Sequence, residues 1–318
     1  MSAAAAPQNA AATAEVQAFA EDLLAGLSED QKRIPCRWLY DARGSELFEA
    51  ITETAEYYPT RTETAILRDA APKLARAIGA GAALVEYGSG ASLKTRLLLD
   101  ALEAPRVYAP IDVSAAFMQA NAASLGEAYP GLAVRPIVGD FLEPLRLPPE
   151  AAAPPVIGFF PGSTIGNLDD EEIHRFLMRA RRGLGDGAWF VLGADLAKAE
   201  EVLLPAYDDA AGVTAAFNLN LLARANREIG ANFDLGAFAH EARWNAERSR
   251  IEMHLVSQRA QSVEIQGERV AFAAGESIHT ENSRKFSIPA LIPQLEAAGW
   301  RLEETHQDER GYFAVMAL

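Results

Sequence analysis

The sequence predicts an α/β protein in which a doubly wound, mainly parallel sheet carries helices on both faces and is interrupted by an inserted α+β domain. Three observations carry this expectation. Short apolar runs alternate with helical stretches between residues 84 and 195, and the first run ends in a glycine turn. After residue 250 the apolar period shifts from that of a helix to that of a strand.

Taken in order, the alanine-rich residues 1–14 are expected to form a disordered tail. The segment Val16 to Tyr58 starts as a helix and then carries Trp38, Tyr40, Phe48, Tyr57 and Tyr58, aromatics suited to packing on the insertion. The first strand ends at Glu86. Gly88 and Gly90 then let the backbone turn and approach a ligand that a Cβ would block. Ser92 is placed to cap a helix whose Leu93, Leu97, Ala101 and Leu102 face the core. A second strand, Arg106 to Val113, contains Asp112, and a third, Val134 to Val138, leads into Gly139-Asp140-Phe141.

Strands at Pro155 to Phe160 and Ala188 to Asp195 flank a helix from Asp170 to Leu184. The alternation then stops. A long helical stretch, Leu203 to Arg227, precedes an alternating strand at Arg250 to Ser257 and two short strands around Gln266-Gly267. A helix at Pro289 to Ala298, the run Trp300 to Thr305, a turn at Asp308 to Gly311 and a strand at Tyr312 to Leu318 resume the first pattern. A stretch of about 90 residues inside one sheet is too long for a loop and reads as an inserted domain. The expected division puts 15–60 and 199–286 in one domain, and 61–198 and 287–318 in the other.

Composition excludes several classes. A net charge of −15 repels phosphate backbones, and no basic stripe counters it, so nucleic acid is not an expected partner. Arg179, Arg181 and Arg182 read as the positive end of a helix. No apolar run approaches the ~18 residues of a membrane span, and no secretory signal is present. A soluble, cytoplasmic monomer is expected. The single Cys36 excludes an internal disulfide and reads as a packed small residue. The five histidines, at 174, 240, 254, 279 and 306, show no metal-ligand spacing, so no metal is expected.

Three consecutive strand ends carry ligand chemistry. Gly88 admits a ligand to the backbone, and Asp112, roughly 20 residues on, is placed to accept ribose hydroxyls. Asp140 can accept from an adenine amino group on which Phe141 can stack.

Longer motifs narrow this further. YDARGSELFEAITETAEYYPTRTE (40–63), VEYGSGASLKTRLLLDAL (85–102), PIDVS (110–114), GDF (139–141) and FFPGSTIGNL (159–168) resemble the L-histidine Nα-methyltransferase family. So do LGADLAK, AYDDAAGVTAAFNLNLL, RIEMHLVS and HTENSRKF, and the resemblance runs from about residue 30 to the C-terminus. It implies a Rossmann-like class I methyltransferase sheet with an inserted α+β substrate-binding domain. It also implies S-adenosylmethionine-dependent trimethylation of the α-amine of L-histidine, giving hercynine, the first step of ergothioneine biosynthesis.

Carried over by motif, Gly88, Lys94, Asp112, Asp140 and Phe141 would hold S-adenosylmethionine, with Lys94 near the methionine carboxylate or its neighbouring loop. Histidine would be held by Tyr57, Asn167, Tyr207, Met253, Glu281 and Ser283. Asn167 and Tyr207 would serve the carboxylate, and Tyr57, Glu281 and Ser283 the imidazole. Gly162 and Tyr40 would position the reacting amine. Two positions depart from the family pattern: Tyr87 in the glycine motif, read as packing, and His306, read as an exposed strand end.

Methyl transfer from a sulfonium is an in-line displacement that needs a neutral amine, so positioning is expected to dominate, without a dedicated base or metal. Three alternatives stand beside this reading: another aromatic amino acid such as tryptophan, an NAD-dependent dehydrogenase, and a non-catalytic sensor. Glu281 disfavours the first, because a ring without a basic nitrogen would leave the acid unpaired. The missing third glycine disfavours the second, and the full set of ligand residues disfavours the third.

Overall fold

The computed structural model describes residues 5–89, 93–113 and 115–318. The turn glycine Gly90, the cap Ser92, Ser114 and the first four residues lie outside the described residues. The chain begins with α1 (Ala5–Leu27), α2 (Ala42–Thr52) and α3 (Tyr58–Ile78). There follow β1 (Ala83–Tyr87), α4 (Leu93–Ala101), β2 (Val107–Asp112), α5 (Ala115–Ala128), β3 (Ala133–Val134) and β4 (Ile137–Val138). Next come α6 (Pro149–Ala152), β5 (Val156–Phe160), α7 (Asp170–Leu184), β6 (Trp189–Asp195), α8 (Glu200–Tyr207) and α9 (Val213–Ile229). Strands β7 (Phe238–Asn245), β8 (Arg250–Ser257), β9 (Gln261–Ile265), β10 (Glu268–Phe272) and β11 (Ser277–Arg284) precede α10 (Ile288–Ala297), β12 (Glu304–Gln307) and β13 (Phe313–Ala317).

The chain forms two compact units. One comprises the N-terminal segment up to Thr54 with Leu203–Asn245 and Ile251–Asn282; the other comprises Ala55–Val202, Ala246–Arg250 and Ser283–Leu318. Tyr57 and Ser283, grouped with the insertion in the sequence division, fall in the second unit.

The second unit is built on a sheet in the order β12-β13-β6-β5-β1-β2-β3, with β4 also on β2. β1 runs parallel to β2 and β5, β5 parallel to β6, and β13 antiparallel to β6. All residues of β1 and β5 are buried, as expected of parallel strands covered on both faces. One face packs Val85, Ile111, Phe160 and Leu192 against Phe176 and Leu177 of α7 and Leu291 and Leu295 of α10. The other packs Leu84, Tyr108, Phe159 and Val191 against Leu67, Leu74 and Ile78 of α3 and Leu98 and Leu99 of α4.

Helix α7 has the bounds expected of it because its ends are locally encoded. Asp169 and Glu172 form a capping box, and Gly185 at φ 86° ends the helix. The expected third strand is two short ones, since Pro136 between them has no N–H to donate. In α4 the core face is Thr95, Leu98 and Leu99, whereas Leu93 is 54% exposed and does not face the core. Tyr87 packs edge-on against Phe176 and Phe160. His306 lies within β12 with its side chain 14% exposed, so it is not the exposed strand end expected of it.

The first unit packs α1, α2 and α9 with a three-stranded sheet in the order β11-β8-β7 and the β9–β10 hairpin. Helix α1 includes residues 5–13, assigned to a disordered tail above; alanine favours helix more than any other residue. The expected long helix from Leu203 divides into α8 and α9. Gly212 turns at φ 72°, and the Asp209 carboxylate accepts the Val213 and Thr214 N–H groups at 2.9 and 2.7 Å, starting a new helix. Gln266 and Gly267 both have positive φ, the two-residue turn that suits the twist of a hairpin. Strand β11 escaped the sequence reading because it is polar, and β7 because His240 interrupts the apolar face of Phe238, Ala242 and Trp244.

Candidate active site

The sheet unit gathers four assigned cofactor residues at the carboxyl ends of β1, β2 and β4. Gly88 adopts φ 76°, a conformation open to glycine at no steric cost, and its N–H donates to the Ile111 carbonyl at 2.8 Å. Asp112 accepts the Ser89 N–H at 3.1 Å, and its own carbonyl accepts the Gly139 N–H at 3.0 Å. The three strand ends are thereby tied together. Asp140 accepts the Leu142 N–H at 2.8 Å, which fixes the loop that carries Phe141. Phe141 sits edge-on to Phe160 at 5.3 Å, and a Cβ at Gly88 would lie 3.9 Å from its ring. A carboxylate with several lone pairs, a half-buried ring and a turn without a Cβ suit a nucleoside.

Lys94 reaches a partner that the sequence reading did not find. Its Nζ lies 2.5 Å from Oε2 of Glu63, whose side chain is fully buried. The same carboxylate accepts the Gly162 N–H at 2.8 and 3.0 Å. Gly162 has φ 78°, and Gly193 leaves the room Glu63 needs, because a Cβ there would stand 2.0 Å from Oε1. Glu63 thus joins Lys94 to the PGSTIGN turn. Asn167 is half-buried at the end of that turn.

Asp195, the last residue of β6, anchors a second polar node. Its carboxylate accepts the Tyr58 hydroxyl at 2.7 and 2.9 Å and the Lys285 ammonium at 2.7 Å, and Lys198 pairs with it as well. Lys285, wholly buried, also donates to Ser283 Oγ at 2.8 Å. Burial pulls Lys198 down to about 8 against the upward pull of Asp195. Tyr57 is buried at the start of α3, where its carbonyl accepts from Arg61 at 3.0 Å.

Glu86 is a buried acid beside the glycine turn, held by the hydroxyls of Tyr108 at 2.5 Å and Thr95 at 2.8 Å. Burial raises it to about 8, more than those hydrogen bonds and Lys94 lower it. Burial thus favours the protonated acid over the carboxylate here.

In the other unit, Tyr40 donates to Glu281 Oε1 at 3.3 Å, and its ring lies edge-on to Phe48 and Phe217. Glu281 is 9% exposed on β11. Met253, buried on the neighbouring β8, accepts through its carbonyl from Thr280 Oγ1 at 3.1 Å. The Tyr207 carbonyl accepts from His240 Nε2 at 2.8 Å, so His240 Nδ1 accepts from Asn218 at 2.9 Å. Burial lowers the pKa of this histidine.

A family model described as "Histidine-specific methyltransferase, SAM-dependent" matches residues 19–318. The chain belongs to that family. It is an S-adenosylmethionine-dependent N-methyltransferase with a class I sheet. The chain is 44% identical over 310 residues to the histidine N-alpha-methyltransferase of Mycolicibacterium smegmatis, covering 96% of each chain. It is 42% identical to that of Mycobacterium tuberculosis, covering 94% of each. It is also 33% identical over 205 residues to ergothioneine biosynthesis protein 1 of Neurospora crassa, covering 63% of this chain and 23% of that one. Within this methyltransferase, Gly88, Asp112, Asp140 and Phe141 form one cluster, Lys94 and Gly162 meet through Glu63, and Tyr40 meets Glu281. No helix among the described residues is long and apolar enough to cross a membrane.

Proposed function

We propose that this enzyme transfers three methyl groups from S-adenosylmethionine to the α-amine of L-histidine, giving hercynine, the first step of ergothioneine biosynthesis. The observation that carries the reading is the 44% identity, over 96% of both chains, to a relative named histidine N-alpha-methyltransferase. The chemistry of the assigned residues supports it. Residues 61–198 and 287–318 form the cofactor domain in this reading, and 15–60 and 199–286 the substrate domain.

Gly88, Asp112, Asp140 and Phe141 bind the adenosine, and Lys94 acts through the loop it braces by way of Glu63. The bound sulfonium supplies an electrophilic methyl group. Asn167 and Tyr207 donate to the histidine carboxylate. Glu281 and Ser283 occupy alternate positions of β11 and serve the two imidazole nitrogens, together with Tyr57, while Met253 offers an apolar wall. Gly162 and Tyr40 orient the amine.

Because the α-amine of a peptide titrates at about 8, a usable neutral fraction of an α-amine exists at cellular pH, and positioning replaces a dedicated base. Displacement at a sulfonium carbon needs no metal. The charge of −15 and the single cysteine suit a cytoplasmic monomer with neither nucleic acid nor membrane as partner.

The test is competition of histidine, tryptophan and tyrosine for methyl groups, read by mass spectrometry. Histidine gaining three methyl groups is the expected result. A preference for tryptophan, or a product that stops at one methyl, overturns the reading.

A further inference from the structure

We propose that Glu252, His254 and His279 form a binding site for one divalent transition-metal cation of the zinc class. Sequence spacing concealed this cluster because its members come from two strands. Glu252 and His254 lie two apart on β8 and so share a face, and His279 stands on β11, the next strand of the sheet. One ligand atom from each lies within 4.8 Å of the others. His254 Nε2 is already 3.3 Å from Glu252 Oε2, the separation of about 3.3 Å between donors around a tetrahedral zinc. Small rotations of the half-buried Glu252 and His279 close the remaining distance.

What distinguishes the cluster from a chance meeting of polar groups is that each ligand is also held from behind. Asn245 donates to Glu252 Oε1 at 2.9 Å, leaving Oε2 turned toward the histidines. His254 Nδ1 faces Ser277 Oγ at 3.2 Å, which aims Nε2 at the cluster. His279 Nε2 meets the Glu281 carbonyl at 3.1 Å. A carbonyl only accepts, so that nitrogen carries the hydrogen and Nδ1 carries the lone pair. Such outer contacts set the tautomer and orientation of ligating histidines. The two rings lie nearly parallel, 24° apart with centroids at 5.0 Å, so they stack on one another.

One carboxylate and two imidazoles suit zinc and its neighbours rather than calcium or magnesium, and solvent reaching the half-buried members can supply the fourth ligand. Arg243, which donates to Ser277 Oγ at 3.3 Å, is paired with both oxygens of Glu241. A bound cation would tie β8 to β11 two residues from Glu281, outside the methyl-transfer chemistry.

The test uses the full-length, tag-free protein, stripped with chelator and titrated with Zn²⁺ against a chromophoric competitor, with no histidine present. One equivalent bound per chain is expected, with a rise in melting temperature that EDTA reverses. Both are lost in His254→Ala and in His279→Ala, and Co²⁺ gives the visible absorption of a four-coordinate site in the parent only. His279 is half-buried, so His279→Ala gives the same readout should His254→Ala not fold. Less than one equivalent in the parent, or equal binding by His279→Ala, overturns the proposal.

Discussion

Lys94 Nζ lies 2.5 Å from Oε2 of the fully buried Glu63, and the same carboxylate accepts the backbone N–H of Gly162. A residue assigned to the cofactor and a residue assigned to the amine are therefore set by a third that no motif singled out. Removing one partner of a buried ion pair strands the other charge. Lys94→Met is expected to lower stability by about 3 to 5 kcal/mol, and Glu63→Gln/Lys94→Met by less than the sum of its single changes. Urea denaturation of the three variants measures the coupling, and additive losses would show that the pair does not act as a unit.

Gly193 tests the same node by sterics. A Cβ there would stand 2.0 Å from Glu63 Oε1 and 3.3 Å from Phe313, both of them fully buried. Gly193→Ala should cost about 1 to 3 kcal/mol and weaken S-adenosylmethionine binding by moving Glu63 off Gly162. Calorimetric titration checks the second effect; unchanged affinity would separate Glu63 from the cofactor.

Glu86 predicts a pH dependence whose sign is opposite to that of a paired carboxylate. Its folded value of about 8 lies above the ordinary value of 4.5, so between the two the folded chain holds a proton that the unfolded chain has released. This contribution is fully present below about 4.5 and is lost as pH rises to about 8, with a slope of at most about 1.4 kcal/mol per pH unit. Glu86→Gln, which keeps a neutral polar group there, should flatten that slope in urea denaturation run from pH 5 to pH 8.5. Parallel curves for the two proteins would mean that Glu86 is ionised throughout.

Lys285 predicts a separation of binding constants. Its ammonium can only donate, so Ser283 Oγ accepts from it and turns its own hydrogen elsewhere. Lys285→Met removes that bias, while Tyr58 and Lys198 keep Asp195 partnered. KM for histidine should rise about tenfold, the scale of one charge-assisted hydrogen bond, with S-adenosylmethionine affinity unchanged. Steady-state kinetics with each substrate varied distinguishes this from a general loss, in which both constants would move.

Local encoding explains which parts of the molecule were legible. Helix α7 carries its own capping box and terminal glycine, and the β9–β10 turn its own Gln266-Gly267 pair, so the helix was read with its bounds and the hairpin with its turn. Asp112, Gly139 and Gly88 were legible because strand ends in a parallel sheet come to one edge. Strands β7 and β11 were not, because β11 is polar and His240 interrupts the apolar face of β7, so side-chain periodicity does not record their backbone pairing. The break at Gly212 was hidden inside an apolar, helix-favouring stretch, and only Asp209 reaching forward to the next helix reveals it.

The sequence by itself determined the parallel sheet, the interruption after β6, the family and the strand ends that carry Gly88, Asp112 and Asp140, because each depends on residues close together in the chain. Tertiary structure alone decided that Glu63 receives Lys94 across 31 positions, that Glu86 is buried against the hydroxyls of Thr95 and Tyr108, and that Glu252 and His254 meet His279. Such pairings arise from which side chains are excluded from water together, and desolvation makes each buried charge depend on partners that no local pattern can name.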